Sequence, residues 1–302
     1  MPDGQFFNGG MTIVNRSIHP ETSLGRLRLR VGDLERSIRF YLDVIGFRLL
    51  DRADNTASLT VDGQTEFLLL EEIPNAVVTP ERSAAGLYHF AILVPTREQL
   101  GLSLRRLVEA GIPIGQGDHL VSEALYLSDP DNNGIEIYCD RPRSQWRKDA
   151  DGNYIMATDP VDIRGLLNLA GYKSWNGLSS ATILGHIHLH VSDLAASRAF
   201  YCDVIGFDLV ADLGRTMRAC FISAGGYHHH IGFNVWAGVG ASLAPANATG
   251  LAYFTIAVPD AAELERIVAD LERAGCEAKR IADYVQTHDP SGIEIRLTAT
   301  GG

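Results

Sequence analysis

Polar and apolar residues alternate over 26–31, the pattern of a strand with one buried face. Asp33 stands where a helix N-cap belongs, and Leu34, Ile38, Tyr41 and Ile45 follow at helical spacing. Gly46 is suited to ending that helix in a left-handed conformation. Short strands are predicted over 47–50, 57–61 and 66–70, with Asp62-Gly63 as a hairpin turn. A second unit opens at 87–94 and continues into a helix over 97–110 closed by Gly111. Its strands near 124–127 and 134–138 flank the turn that begins at Asp129-Pro130.

The plan then recurs. Residues 25–47 align without a gap on 185–207 and are identical at 13 of 23 positions, too many for chance. Residues 251–258 match 87–94, the helix of Leu264, Ile267, Val268 and Leu271 ends at Gly275, and Ile293-Glu294-Ile295 closes the set. The chain is expected to be α+β, with four βαβββ modules forming two paired, cup-shaped mixed-sheet domains at 21–140 and 181–300. Residues 1–20 form an N-terminal segment, and 141–180 a polar linker with a short apolar helix near 163–170. Where the copies differ, Arg26, Arg28 and Arg30 give way to His186, His188 and His190.

Composition narrows the partners. A chain of 302 residues with 46% hydrophobic content can bury a large core. A formal charge of −11 without basic runs argues against nucleic acid or an anionic membrane. Four cysteines without CxxC spacing fit a reducing compartment. With no signal-peptide pattern and no apolar run of membrane-spanning length, a soluble cytoplasmic protein is expected.

The first strand (His-Ile-His-Leu-His-Val-Ser-Asp-Leu over 186–194), followed by Phe200-Tyr201 and Asp203-Val-Ile-Gly-Phe207, resembles the vicinal oxygen chelate superfamily. That superfamily includes glyoxalase I, bleomycin-resistance proteins and type I extradiol dioxygenases. The four-module arrangement looks most like its catechol 2,3-dioxygenase branch. The resemblance implies that paired modules curl around one metal. Ligands would come from the start of each module's first strand and the middle of its last. The first-strand positions hold Arg26, His89, His186 and Tyr253; the last-strand positions fall near Leu70, at Glu136, near Gly232 and at Glu294.

Pairing modules in sequence order completes neither cup. Pairing two with three unites His89, Glu136 and His186, the two-His-one-carboxylate triad that binds non-haem Fe(II) and leaves positions for substrate and O2. Modules one and four would then form a structural cup, with Glu294 expected to pair with an arginine, Arg26 being the candidate. Glu136, between apolar Ile135 and Ile137, is costly to bury without a cation.

Around that triad, the resemblance points to His119 and Tyr126 as acid–base groups and to the run His228-His229-His230 as the site of the histidine assisting O2 chemistry. The run is expected on the last strand of module three, with His228 and His230 facing the cup and His229 less so. His188 and His190 share the face of His186. Trp146, Trp175 and Trp236 either cap the pocket or pack, and His19 and His288 are expected at the surface.

The function expected is Fe(II)-dependent extradiol cleavage of catechol or a substituted catechol, a small aromatic diol, with O2. One alternative is a glyoxalase-type isomerase or lyase using Mn(II), Zn(II) or Ni(II). Another is a non-catalytic protein that sequesters aromatic or drug-like ligands. A homo-oligomer is left open.

Overall fold

The computed structural model describes residues 17–150 and 152–301. Module one comprises β1 (Ser23–Val31), α1 (Leu34–Arg39), β2 (Arg48–Arg52), β3 (Thr56–Thr60) and β4 (Leu68–Glu72). Module two comprises β5 (Gly86–Leu93), α2 (Arg97–Glu109), β6 (Gly115–Asp118), β7 (Ser122–Ser128) and β8 (Gly134–Asp140). The linker carries α3 (Ile163–Ala170). Module three follows as β9 (Ile183–His190), α4 (Leu194–Arg198), β10 (Asp208–Asp212), β11 (Ala219–Ser223) and β12 (Ile231–Asn234). Module four is β13 (Gly250–Asp260), α5 (Ala261–Arg273), β14 (Lys279–Ile281), β15 (Tyr284–His288) and β16 (Glu294–Gly301).

Local chemistry explains the helix boundaries. The side chains of Asp33, Thr96, Asp193 and Asp260 each accept a backbone N–H from the first turn of their helix. Helix α1 widens into a π-type turn over Phe40–Ile45, and Gly46 ends it at φ 100°, where a side chain would be strained. Leu34, Ile38, Tyr41 and Ile45, the stripe expected from spacing, are all buried. Strands β6, β14 and β15 complete the expected βαβββ plan, although patterning assigns them no range; they hydrogen-bond at or near the sheet edges, where little apolar patterning is required.

Two eight-stranded mixed sheets result. One runs β14-β15-β16-β13-β1-β4-β3-β2, the other β10-β11-β12-β9-β5-β8-β7-β6. Module four is thus joined to module one, and module three to module two. Within each module the first and last strands are parallel neighbours; the modules meet through antiparallel pairs, β1 with β13 and β5 with β9. Each sheet takes one module from each sequence repeat. Among the described residues, no helix is long and apolar enough to cross a membrane.

Candidate metal centre and its cavity

The register of three neighbouring strands assembles the centre. Ala91 on β5 stands beside His186 on β9 and beside Glu136 on β8. Strand alternation puts His89, two residues from Ala91, on the same face. The methyl group of Ala91, itself fully buried, leaves room for the three larger side chains to converge. One ligand atom from each of His89, Glu136 and His186 lies within 4.8 Å of the others, and all three residues are buried.

His186 Nε2 is 2.9 Å from Glu136 Oε2. His89 Nε2 lies 3.1 Å from the same oxygen, off the hydrogen-bonding direction, and is left without a partner, as is the buried Nδ1 of His186. Burial by itself would raise the Glu136 carboxyl, but the His186 and His89 imidazoles outweigh it and hold it well below the usual carboxylate range. Burial, against the pull of Glu136, pushes His186 down, and it pushes His188 further. A buried carboxylate shared by two buried imidazoles, one of which burial pushes toward neutrality, is a poor resting arrangement by itself and a good donor set for a divalent cation. The residues present therefore fit a metal with three protein ligands.

Gly232 on β12 stands beside His188 on β9. A Cβ at Gly232 would lie 3.1 Å from the His188 ring, so that imidazole occupies the space a fourth acidic ligand would need. His188 Nε2 accepts from Asn234 Nδ2 at 2.9 Å, and Asn234 Oδ1 is 2.7 Å from His190 Nδ1.

Tyr126 on β7 is the register partner of Glu136, which carries it to the edge of the cluster. Its hydroxyl is 2.7 Å from His119 Nε2, while His119 Nδ1 is 2.8 Å from the Ala157 carbonyl. A carbonyl only accepts, so Nδ1 carries the proton, and in the neutral ring Nε2 accepts from the Tyr126 hydroxyl. Burial, then the nearby Glu136 charge, pushes the Tyr126 phenol well above its ordinary value.

The histidine run requires a correction. Strand β12 begins only at Ile231, and His228–His230 lie in the turn after Gly225 and Gly226, both at positive φ. Strand alternation therefore does not apply to them. His229, not His228 or His230, lines the cavity, with its ring centroid 4.1 Å from that of His186. His228 is fully buried behind it, with Nε2 2.8 Å from Asp140 Oδ1 and Nδ1 2.8 Å from His229 Nδ1. His230 Nδ1 accepts the Ala224 N–H at 3.1 Å, away from the centre.

The centre opens into a cavity of about 510 Å³. Trp236 forms part of its wall, whereas Trp146 packs on Tyr227 and His228, and Trp175 lies beneath the Arg106 guanidinium. Met156, Ala157 and Thr158 of the linker, with Leu213 and Met217 from the β10–β11 connection, complete it. None of these five carried a periodic signal; the linker reaches the site because Asp118 on β6 and Asp159 exchange backbone hydrogen bonds.

The cup of modules one and four is built differently. Arg26 pairs with Glu66 at 3.1 Å, Arg28 with Glu71 at 2.5 Å, and Arg296 with Glu294 at 2.8 Å. The expectation that Glu294 pairs with Arg26 is thus corrected, since Arg296 lies on the same strand and Glu66 is nearer to Arg26. The Arg296 guanidinium stacks 3.4 Å from the Tyr253 ring centroid. Among the described residues, no cluster resembling the His-Glu-His set forms there.

The family described as the Glyoxalase/Bleomycin resistance protein/Dioxygenase superfamily matches residues 23–137 and 183–297. The chain is 54% identical over 280 residues to a catechol-2,3-dioxygenase of Bacillus subtilis (strain 168), covering 92% of this chain and 98% of that protein. It is 28% identical over 131 residues to an iron-dependent extradiol dioxygenase of Rhodococcus jostii (strain RHA1), covering 40% of this chain and 44% of that one. In fold it is similar to glyoxalase I from Zea mays, with a TM-score of 0.55 at 18% identity and 92% of each chain covered.

Proposed function

Because the chain belongs to the Glyoxalase/Bleomycin resistance protein/Dioxygenase superfamily, we propose that it is an extradiol dioxygenase that cleaves catechol or a substituted catechol with O2, using Fe(II). The observation that carries this reading is the convergence of two imidazoles and one carboxylate within 4.8 Å at the wall of a cavity. The relatives named as extradiol enzymes add weight, and the four free cysteines fit a cytoplasmic setting.

His89, Glu136 and His186 would hold the metal. When bound, Fe(II) would supply Lewis acidity to the diol oxygens and a redox route to O2. The protein's own part is proton handling and exclusion of water. Tyr126, held by His119, offers a hydroxyl beside Glu136, and its proton lies against His119 Nε2. A diol proton reaching Tyr126 can therefore be matched by transfer of the tyrosine's own proton to His119. The Ala157 carbonyl fixes the His119 tautomer that this requires. Burial, with contributions from the neighbouring imidazoles, keeps His229 neutral, and it lines the cavity against His186, where it can act as a base.

The test is anaerobic reconstitution with Fe(II), followed by catechol and air. A yellow ring-fission product is expected; its absence across a panel of catechols overturns the reading. Metal at 100 times its Kd should stabilise the native chain by about 2.7 kcal/mol, and Glu136→Gln should lose most of that gain in an anaerobic thermal melt.

A further inference from the structure

The cavity wall carries a charge pattern that ring cleavage alone does not demand. Among the described residues, no lysine or arginine lines it, and its single carboxylate is Glu136. Beyond the centre the surface is mainly apolar, supplied by Val121, Met156, Leu213, Met217, Phe221 and Trp236, with Tyr88, Ser122 and Thr158 as uncharged polar members. Arg82 borders the cavity without lining it: its guanidinium lies 5.6 Å from the Trp236 ring centroid, and it lines a smaller adjoining cavity that shares Tyr88, His89 and Tyr126 with this one. Arg215 and Arg218, in the connection that supplies Leu213 and Met217, are exposed and do not line the wall.

At about 510 Å³ the cavity falls in the range of roughly 300–1,000 Å³ that suits drug-sized ligands, more space than one unsubstituted ring fills. A carboxylate on a ring substituent reaching beyond the centre would lose its hydration against this wall, which no lysine or arginine lines. An alkyl or aryl substituent would bury against methionine, leucine and tryptophan.

We propose, resting on the dioxygenase reading above, that this site selects neutral catechols bearing an apolar substituent and rejects those bearing a carboxylate. Met217 and Leu213 are then specificity-determining residues. They sit in one surface connection, Met217 is 46% exposed at the mouth, and a charge placed on either would face an incoming substituent.

The experiment compares 4-ethylcatechol with 3,4-dihydroxyphenylacetate on the full-length, Fe(II)-loaded protein, by anaerobic calorimetry and by kcat/KM in air. The ethyl compound is expected to be favoured about a hundredfold in both measurements, the order of effect that burying an unpaired charge produces. Met217→Arg, or Leu213→Arg should the first variant fold poorly, is expected to narrow that gap at least about tenfold by improving the carboxylate. Equal affinity and turnover of the two compounds in the parent protein would overturn the proposal and leave the dioxygenase reading intact. A binding gap without cleavage of either compound would support the selectivity and overturn the dioxygenase reading. Good turnover of the carboxylate that Arg215→Ala abolishes would overturn the selectivity, by showing that an exposed arginine swings in as counter-ion.

Discussion

Within the run His228–His230 the partners of each ring decide which can act on a substrate. His228 Nε2 is held 2.8 Å from Asp140 Oδ1, and its Nδ1 lies 2.8 Å from His229 Nδ1. Nε2 is therefore the His229 nitrogen that His228 does not engage. His230 spends its Nδ1 on the backbone of Ala224. Replacing His229 by Ala is therefore expected to lower kcat/KM for ring cleavage by about 10²–10⁴, the usual loss of a positioned acid–base group. His230→Ala should change it by less than about tenfold. Steady-state kinetics at matched iron content makes the comparison, and a larger effect at His230 would reverse the assignment.

At the scale of elements, the linker behaves as part of the second module. Helix α3 packs on α2 so closely that a Cβ at Gly101 would lie 2.2 Å from the Leu166 carbonyl oxygen. A glycine in a helix interior is ordinarily improved by alanine, by about 1 kcal/mol. Here the sign should reverse, because the obstacle is backbone and cannot swing aside. Gly101→Ala is expected to cost about 1–3 kcal/mol, read in urea as a lower midpoint at unchanged slope. Displacing α3 would also pull on 156–158 and so on His119. Much of this scale was legible in the sequence. The cap at Asp33 and the stop at Gly46 follow from local spacing, which local hydrogen bonding and burial enforce, while the first-strand places of His89 and His186 follow from the register of the repeats. The contribution of Met156–Thr158 was not legible, because extended polar chain pinned by two backbone hydrogen bonds leaves no periodic trace. The histidine turn was misread for a related reason. Strand β12 is only four residues long, and paired glycines before it reset the alternation on which the reading depended.

At the scale of the molecule, each repeat contributes one module to each sheet, so something must hold the two sheets in a fixed relation. Two buried hydrogen bonds do so symmetrically. Tyr41 of module one donates to Asp129 of module two at 2.8 Å, and Tyr201 of module three donates to Asp289 of module four at 3.1 Å. Each bond runs from one sheet's module to the other's, and each aspartate also accepts backbone N–H groups of its own turn. Burial, reinforced by the adjacent aspartate, pushes both phenols well above their ordinary value of 10.0. A group whose folded pKa is raised stabilises the fold fully below its unfolded pKa and loses that stabilisation as pH rises through the folded value. Native stability should therefore fall steeply above about pH 10, by up to roughly 1.36 kcal/mol per pH unit for each of the two tyrosines. Tyr41→Phe removes one titrating group and one donor to a buried carboxylate. At pH 8 the variant should be less stable by about 1–3 kcal/mol, since Asp129 keeps its backbone partners but loses the phenol. Between pH 10 and 11 its stability curve should fall less steeply and converge on that of the parent. Urea titrations across that range distinguish this from a simple packing defect, which would displace the curve by a constant amount.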